Sequence, residues 1–208
     1  MTLGVVALGD SIIRGGTRQQ FTTPQSWALT LAERADLPFT MYAQGGYTSQ
    51  RVVDELLPRV RRDGYDVGAV TVGANDLLYG WDRDRFAKNL DQILARLACV
   101  ADRVVVTNLP ARFRVDPGEV NAVIVEQADR HGALVVDVSD MNDRRWLRPD
   151  RVHPTAIGLA EIGYRAADVL GYERLPVDLR RLGPGYRLRH VVESAVHTTR
   201  AGSGWVRR

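Results

Sequence analysis

Ser11, Asp150 and His153 are side chains of the types that, together, could move an acyl group. A serine hydroxyl is a weak nucleophile near neutral pH, so its attack on a carbonyl needs a base to take the proton. An unperturbed imidazole titrates near pH ~6.5 and suits that task. Asp150 stands three residues before His153 and could accept from the other ring nitrogen, fixing the tautomer and stabilising the imidazolium. The tetrahedral intermediate carries a negative oxygen that needs donors already aimed at it. A glycine N–H allows close approach and an asparagine amide can donate from across a site, so Gly46 and Asn75 are candidates. The N–H of Ser11 is a third. Gly45 precedes Gly46, and Asp137, Asp140 and Asp143 also lie near His153 in the chain, so spacing leaves both choices open.

The elements that must carry these groups are legible as apolar runs and stripes. Residues 4–8 are a continuous apolar run, as in a strand buried on both faces, and it ends in Gly9-Asp10-Ser11. Thr23-Pro24 reads as an N-cap with Pro at the first helical position, and Trp27 and Leu31 follow at helical spacing until Asp36-Leu37-Pro38. Residues 39–43 read as a second strand, running into Gln44-Gly45-Gly46-Tyr47-Thr48. Val52, Val53, Leu56, Leu57 and Val60 form one helical stripe.

Residues 67–72 read as a third strand ending in Gly73-Ala74-Asn75-Asp76, and Phe86, Leu90, Ile93 and Leu97 as the inner face of a helix. Residues 103–107 supply a fourth strand. Asp116-Pro117-Gly118-Glu119 has the pattern of a capping box opening a helix that Gly132 stops. Residues 133–138 read as a fifth strand, and a last helix runs from about Thr155 to Leu170. Strands alternating with helices in this way specify a doubly wound, mostly parallel α/β sheet. In such sheets functional groups gather beyond the C-terminal strand ends, where four separate segments here supply Ser11, Gly46, Asn75 and Asp150 with His153.

Each residue taken singly has a plainer reading. Ser11 could cap a helix, Asn75-Asp76 could be turn residues, and Asp-x-x-His-Pro could simply open a helix. Asp10 and Asp76 read as supporting residues that hold loops and do no chemistry. His131, just before Gly132, reads as a partner for a helix C-terminus. Only the combination points to acyl transfer.

The blocks resemble the SGNH hydrolases, the GDSL-type esterase and lipase superfamily. Gly9-Asp10-Ser11 is similar to its first block, Gly46-Tyr47-Thr48 to its second, Gly73-Ala74-Asn75-Asp76 to its third, and Asp150-Arg151-Val152-His153-Pro154 to its fifth. The resemblance spans residues 1–170, with Ser-Ile-Ile where the first block has Ser-Leu, and without the Asn that commonly precedes the block-two glycine. It implies a flavodoxin-like three-layer α/β/α sandwich with a five-stranded parallel sheet. It also implies a serine esterase working through an acyl-enzyme without a cofactor: Ser11 as nucleophile, His153 as base, Asp150 as its orienting acid, and Gly46 and Asn75 as oxyanion donors. Acyl transfer to an alcohol, or deacetylation of a carbohydrate, could run on the same machinery. A non-catalytic binding domain that kept the fold is the reading from another class.

Composition sets outer bounds. With 208 residues and 45% hydrophobic content, the chain can bury a full core as one domain, residues 1–171, with an extension at residues 172–208. The longest apolar runs fall short of a membrane span, and no leader pattern opens the sequence, so a cytoplasmic setting is expected. Cys99 is the sole cysteine, which excludes an internal disulfide and a multi-cysteine metal site; no pair of histidines has metal-ligand spacing. The net charge of +3 divides into +5 on residues 171–208 and −2 on the remainder, so the body is not a nucleic-acid platform. The expected partner is a small-molecule ester. In the extension, Leu188, Val191, Val192, Ala195 and Val196 could form a helical stripe that packs on the domain or on a second copy. Around the site, residues 14–21, 78–81 and 111–115 mix aromatic side chains with arginine, which suits an acyl chain beside an anionic group or a sugar ester alike.

Overall fold

A computed structural model of the chain describes residues 3–15 and 26–172. The expectations for Thr23-Pro24, for most of the 14–21 loop and for the stripe in the extension lie outside those residues. Five strands form one sheet: β1 (Val5–Gly9), β2 (Phe39–Ala43), β3 (Tyr65–Thr71), β4 (Ala101–Thr107) and β5 (Leu134–Val136). Every pairing is parallel, and the spatial order is β2-β1-β3-β4-β5. The order reverses direction at β1, which makes the ends of β1 and β3 a topological switch point, the place where such sheets bind ligands.

Alternation along the strands divides the core in two. Val6, Leu8, Val70 and Val106 face one layer, where α5 (Arg83–Val100) and α6 (Gly118–His131) contribute Phe86, Leu90, Ile93, Leu97, Val120 and Ile124. Val5, Ala7, Val67, Ala69 and Val105 face the other, where α2 (Trp27–Ala35) and α7 (Ala156–Val169) contribute Trp27, Leu31, Leu159 and Ile162. Both sheet faces are therefore covered, which is why the strands read as unbroken apolar runs. The expected inner face of α5 is buried throughout.

Within the described residues α2 begins at Trp27, and Ser26 caps it by accepting from the Ala28 N–H. The stripe after β2 is not one α-helix, contrary to expectation. A short turn, α3 (Ser49–Arg51), runs into a π turn (Val52–Leu56) and a 3₁₀ turn (Leu57–Arg59). Pro58 has no N–H and its ring crowds the carbonyl four residues back, so a regular ladder cannot pass it. Val52, Leu56 and Val60 still bury, while Val53 and Leu57 are only half-buried.

The expected capping box does not form, because α6 starts at Gly118 and its N-cap is Pro117, which makes no side-chain cap bond. The Asp116 carboxylate accepts from Gly118 N–H at 3.0 Å, but Glu119 turns away to accept from the Trp81 indole at 2.5 Å. The fifth strand is also shorter than the apolar run. Asn108 accepts from Val138 N–H and donates to the Asp137 carboxylate, both at 2.7 Å, taking the place of ladder bonds. Asp36 ends α2 in a left-handed conformation and Gly132 ends α6 likewise, as the breaker residues indicate.

The α5 stripe is buried from Phe86 to Val100, and Phe86 is its largest fully buried member. Phe86→Ala should cost about 3–5 kcal/mol of unfolding free energy, read from urea denaturation. A loss under about 1 kcal/mol would show that this face does not carry the core.

Candidate active site

Register places the site. Gly9 pairs with Ala43 on one side and Thr71 on the other, so the three central strands end at one level. The chain must then turn sharply at Gly9, whose φ is 149°. A Cβ there would sit 2.1 Å from the Thr71 carbonyl oxygen, so no side chain fits. Asp10 N–H donates to that same carbonyl at 3.2 Å. The Asp10 carboxylate accepts from Ile12 N–H at 2.8 Å and caps the short turn α1 (Ser11–Arg14). Ser11 is thereby held by backbone and cap together at the first position of α1.

His153 arrives from the loop before α7. That helix is capped by Thr155, which accepts from Gly158 N–H at 3.0 Å. Arg151 adopts a left-handed φ of 55°, uncommon for a residue with a Cβ. The reversal lets Asp150 fold back over its own turn. One carboxylate oxygen accepts from Val152 N–H at 2.9 Å and His153 N–H at 3.0 Å, and the other meets His153 Nδ1 at 2.9 Å. His153 Nε2 then lies 2.9 Å from Ser11 Oγ. With Nδ1–H donated to Asp150, Nε2 is left to accept from the hydroxyl.

Two carboxyls here are driven in opposite directions. Burial tends to raise Asp150, but the bond to His153, the charge that His153 can carry and the two amides outweigh it, holding the carboxyl at about 2. Asp10 has no access to water, and that burial pushes it up to about 7, against the pull of the Ile12 amide and of His153. The remaining acids are occupied elsewhere. Asp137 is bound by Asn108, Asp140 by Arg165, and Asp143 accepts from Arg145 N–H. Among the acids that spacing left open, Asp150 is the one the structure brings to the ring.

The opposite wall is built from the loops after β2 and β3. Asn75, on α4 (Ala74–Tyr79), is buried and gives one amide hydrogen to the Tyr47 carbonyl at 2.9 Å. Among the described residues its other hydrogen bond is to Asp10 at 3.5 Å, too long to hold the second hydrogen firmly. Gly46 has a φ of 80°, which favours glycine, and a Cβ there would enter open space. Gly45 lies beside the nucleophile candidate: its Cβ would be 3.7 Å from that of Ser11. Among the described residues, the N–H groups of Ser11, Gly45 and Gly46 have no hydrogen-bond partner, so three amide donors of these loops are unengaged.

Asp76 does structural work beside Asn75. Its carboxylate receives the Ser49 N–H at 2.9 and 3.1 Å and the Ser49 hydroxyl at 2.5 Å, and Asn89 donates to that hydroxyl at 3.1 Å. This buried knot fastens the Gly45–Thr48 loop to α4 and α5. Sequence reading missed Ser49, Asn89 and Asn108. Asn89 was signalled by a polar residue three positions after Phe86 on an apolar stripe; Ser49 and Asn108 had no such signal. His131 pairs with Asp91 of α5 at 2.9 Å, away from the site. Among the described residues no group of three or more His, Cys, Asp or Glu side chains could hold a metal ion, and no helix is long and apolar enough to cross a membrane.

Comparison with known proteins bears on the fold and the family. No curated protein matches the chain. Among solved structures, an α/β hydrolase from the metagenome of Lake Arreo, Spain, superposes with a TM-score of 0.67 at 19% identity, over 81% of this chain and 94% of its own. A lipase/acylhydrolase from Enterococcus faecalis gives 0.65 at 17% identity, over 85% and 100%. The acetylxylan esterase Axe2 from Geobacillus stearothermophilus gives 0.64 at 14% identity, over 85% and 100%. At such identities these likenesses speak to the fold. The sequence profile of the GDSL-like lipase/acylhydrolase family matches residues 7–160, so the chain belongs to that hydrolase family.

Proposed function

We propose that the protein hydrolyses a carboxylic ester through an acyl-enzyme, with Ser11 as nucleophile, His153 as general base and Asp150 as the acid that orients it. The observation that carries this reading is the unbroken run Ser11 Oγ–His153 Nε2 and His153 Nδ1–Asp150, each 2.9 Å, assembled from opposite ends of the chain. As Ser11 Oγ attacks the carbonyl carbon, its proton passes to His153 Nε2 and the carbonyl electrons move onto oxygen. That oxyanion is met by the N–H groups of Ser11 and Gly46 and by the free hydrogen of the Asn75 amide. One such donor is worth about 10²–10³ in kcat.

Collapse then expels the alcohol, which takes the proton back from His153 and leaves an acyl group on Ser11. Water, deprotonated by His153, repeats the sequence and releases the acid. Asp150 stays ionised throughout, consistent with a carboxyl held far below neutrality. Asp10 and Asp76 act by holding Ser11, Asn75 and the Gly45–Thr48 loop in place.

Ser11→Ala should lower kcat on p-nitrophenyl acetate by about 10⁴-fold or more and abolish fluorophosphonate labelling, with the thermal midpoint little changed. Unchanged turnover would sink the proposal. Asp10→Asn tests the role of Asp10 itself. Its folded carboxyl is raised, so between about pH 4 and 7 the native state keeps a proton that the unfolded chain has lost, and stability falls as pH rises. Urea midpoints at pH 4.5 and 7.5 should show that fall diminished in Asp10→Asn; an equal fall in both proteins would contradict the buried, raised carboxyl.

A further inference from the structure

Arg14 occupies the last turn of α1, three residues beyond Ser11. Its backbone is fixed by donation to the Asp10 carbonyl at 3.0 Å, while its side chain stays exposed. The guanidinium flanks Gly45: a Cβ on that glycine would lie 3.8 Å from an Arg14 terminal nitrogen and 3.7 Å from the Cβ of Ser11. One glycine thus lies between a positive charge and the proposed nucleophile, close enough that a Cβ at position 45 would touch both.

Among the described residues nothing neutralises that charge. Among the described residues no carboxylate lies within ion-pair distance of Arg14, in contrast to Arg51, Arg83, Arg130 and Arg165, each paired with an acid. Residues 16–25, which follow it, contain no Asp or Glu. The nearby acids of the rim are committed, Asp150 to His153, Asp137 to Asn108 and Asp140 to Arg165. An exposed arginine is ordinarily just solvated. Here it stands against the glycine beside the reacting hydroxyl, where a bound ester would displace its water, and a guanidinium presents a fork matched to carboxylate or phosphate oxygens.

We propose that Arg14 recognises an anionic group on the substrate, so that the preferred ester carries a carboxylate or phosphate a few bonds from its scissile carbonyl. The inference rests on the ester-hydrolase reading of the site and narrows its substrate class.

The test compares esters that differ only in charge. For an anion on the acyl side, p-nitrophenyl hemisuccinate is set against p-nitrophenyl butyrate. For an anion on the alcohol side, 4-acetoxybenzoate is set against its methyl ester. In at least one pair the charged-to-neutral ratio of kcat/KM should fall about tenfold or more in Arg14→Gln, mainly through KM of the charged ester. Arg14→Lys should restore part of the ratio, and added salt should erode it in wild type. The pair that responds identifies which side of the ester carries the anion. Ratios unchanged by Arg14→Gln in both pairs, with the neutral esters still cleaved, would overturn the inference and leave the esterase reading standing. Wild-type protein that cleaves none of the four esters would instead overturn the esterase reading, and this one with it.

Discussion

The parallel pairing of β1 with both β2 and β3 is the constraint on which the site depends. Because Gly9, Ala43 and Thr71 share one register, the loops bearing Ser11, Gly46 and Asn75 start from the same level. A slip of one residue would turn every side chain of β1 to the opposite face of the sheet, exchanging Val6 and Leu8 with Val5 and Ala7 between the two layers. Both layers are filled, so such a slip is opposed by the whole core. The precision needed among three loops is therefore supplied by apolar packing well below them. Gly9 then converts strand into turn at the one point where a Cβ would strike the neighbouring strand.

On that platform the two carboxyls do different work because their surroundings differ. Asp150 is partly open and accepts three hydrogen bonds from its own turn and ring, so it is stable as an anion. Its contribution to stability is present above about pH 4 and is lost as pH falls towards 2, the sign expected of a depressed carboxyl. Asp10 is closed off from water with one firm donor, so the charged form is disfavoured and its sign is opposite. An anion at Asp150 beside the imidazole and a carboxyl of reduced charge beneath the serine amount to a graded field. Negative charge is concentrated beside the proposed base and is weakened near the wall proposed to receive an oxyanion.

Much of this was legible in the sequence, for identifiable reasons. Strands buried on both faces are continuous apolar runs, so β1, β3 and β4 were visible within a few residues. The α5 face was visible because a helix buried on one side repeats at three and four residues. Gly9-Asp10-Ser11 and Asp150-x-x-His153 were visible because each is a local turn whose carboxylate bonds groups two or three residues away. What escaped depended on distant partners. Glu119 meets Trp81 from another segment rather than its own helix start, and the apolar run at 133–138 is cut short because Asn108 intercepts Asp137 and Val138. The break after β2 was written locally in Pro58, but the apolar stripe around it is regular enough to mask it. Spacing could not choose among Asp137, Asp140, Asp143 and Asp150, because the choice turns on which of them a neighbouring loop has already claimed.

The division between fixed and variable parts follows from the same geometry. The groups proposed for bond-making are each tied down by backbone: Ser11 by its turn, His153 by Asp150 and the start of α7, and Asn75 by the Tyr47 carbonyl. None depends on an exposed side chain. Arg14 is the reverse, with its backbone fixed on α1 and its guanidinium held by no ion pair among the described residues. Changing it would leave the pairing of Gly9 with Ala43 and Thr71 untouched, whereas changing Gly9 would disturb every loop at once. A hydrolase built this way can acquire a new substrate at its rim without disturbing the register that makes it a hydrolase, since rigid strand ends hold the chemistry and loop side chains select what reaches it.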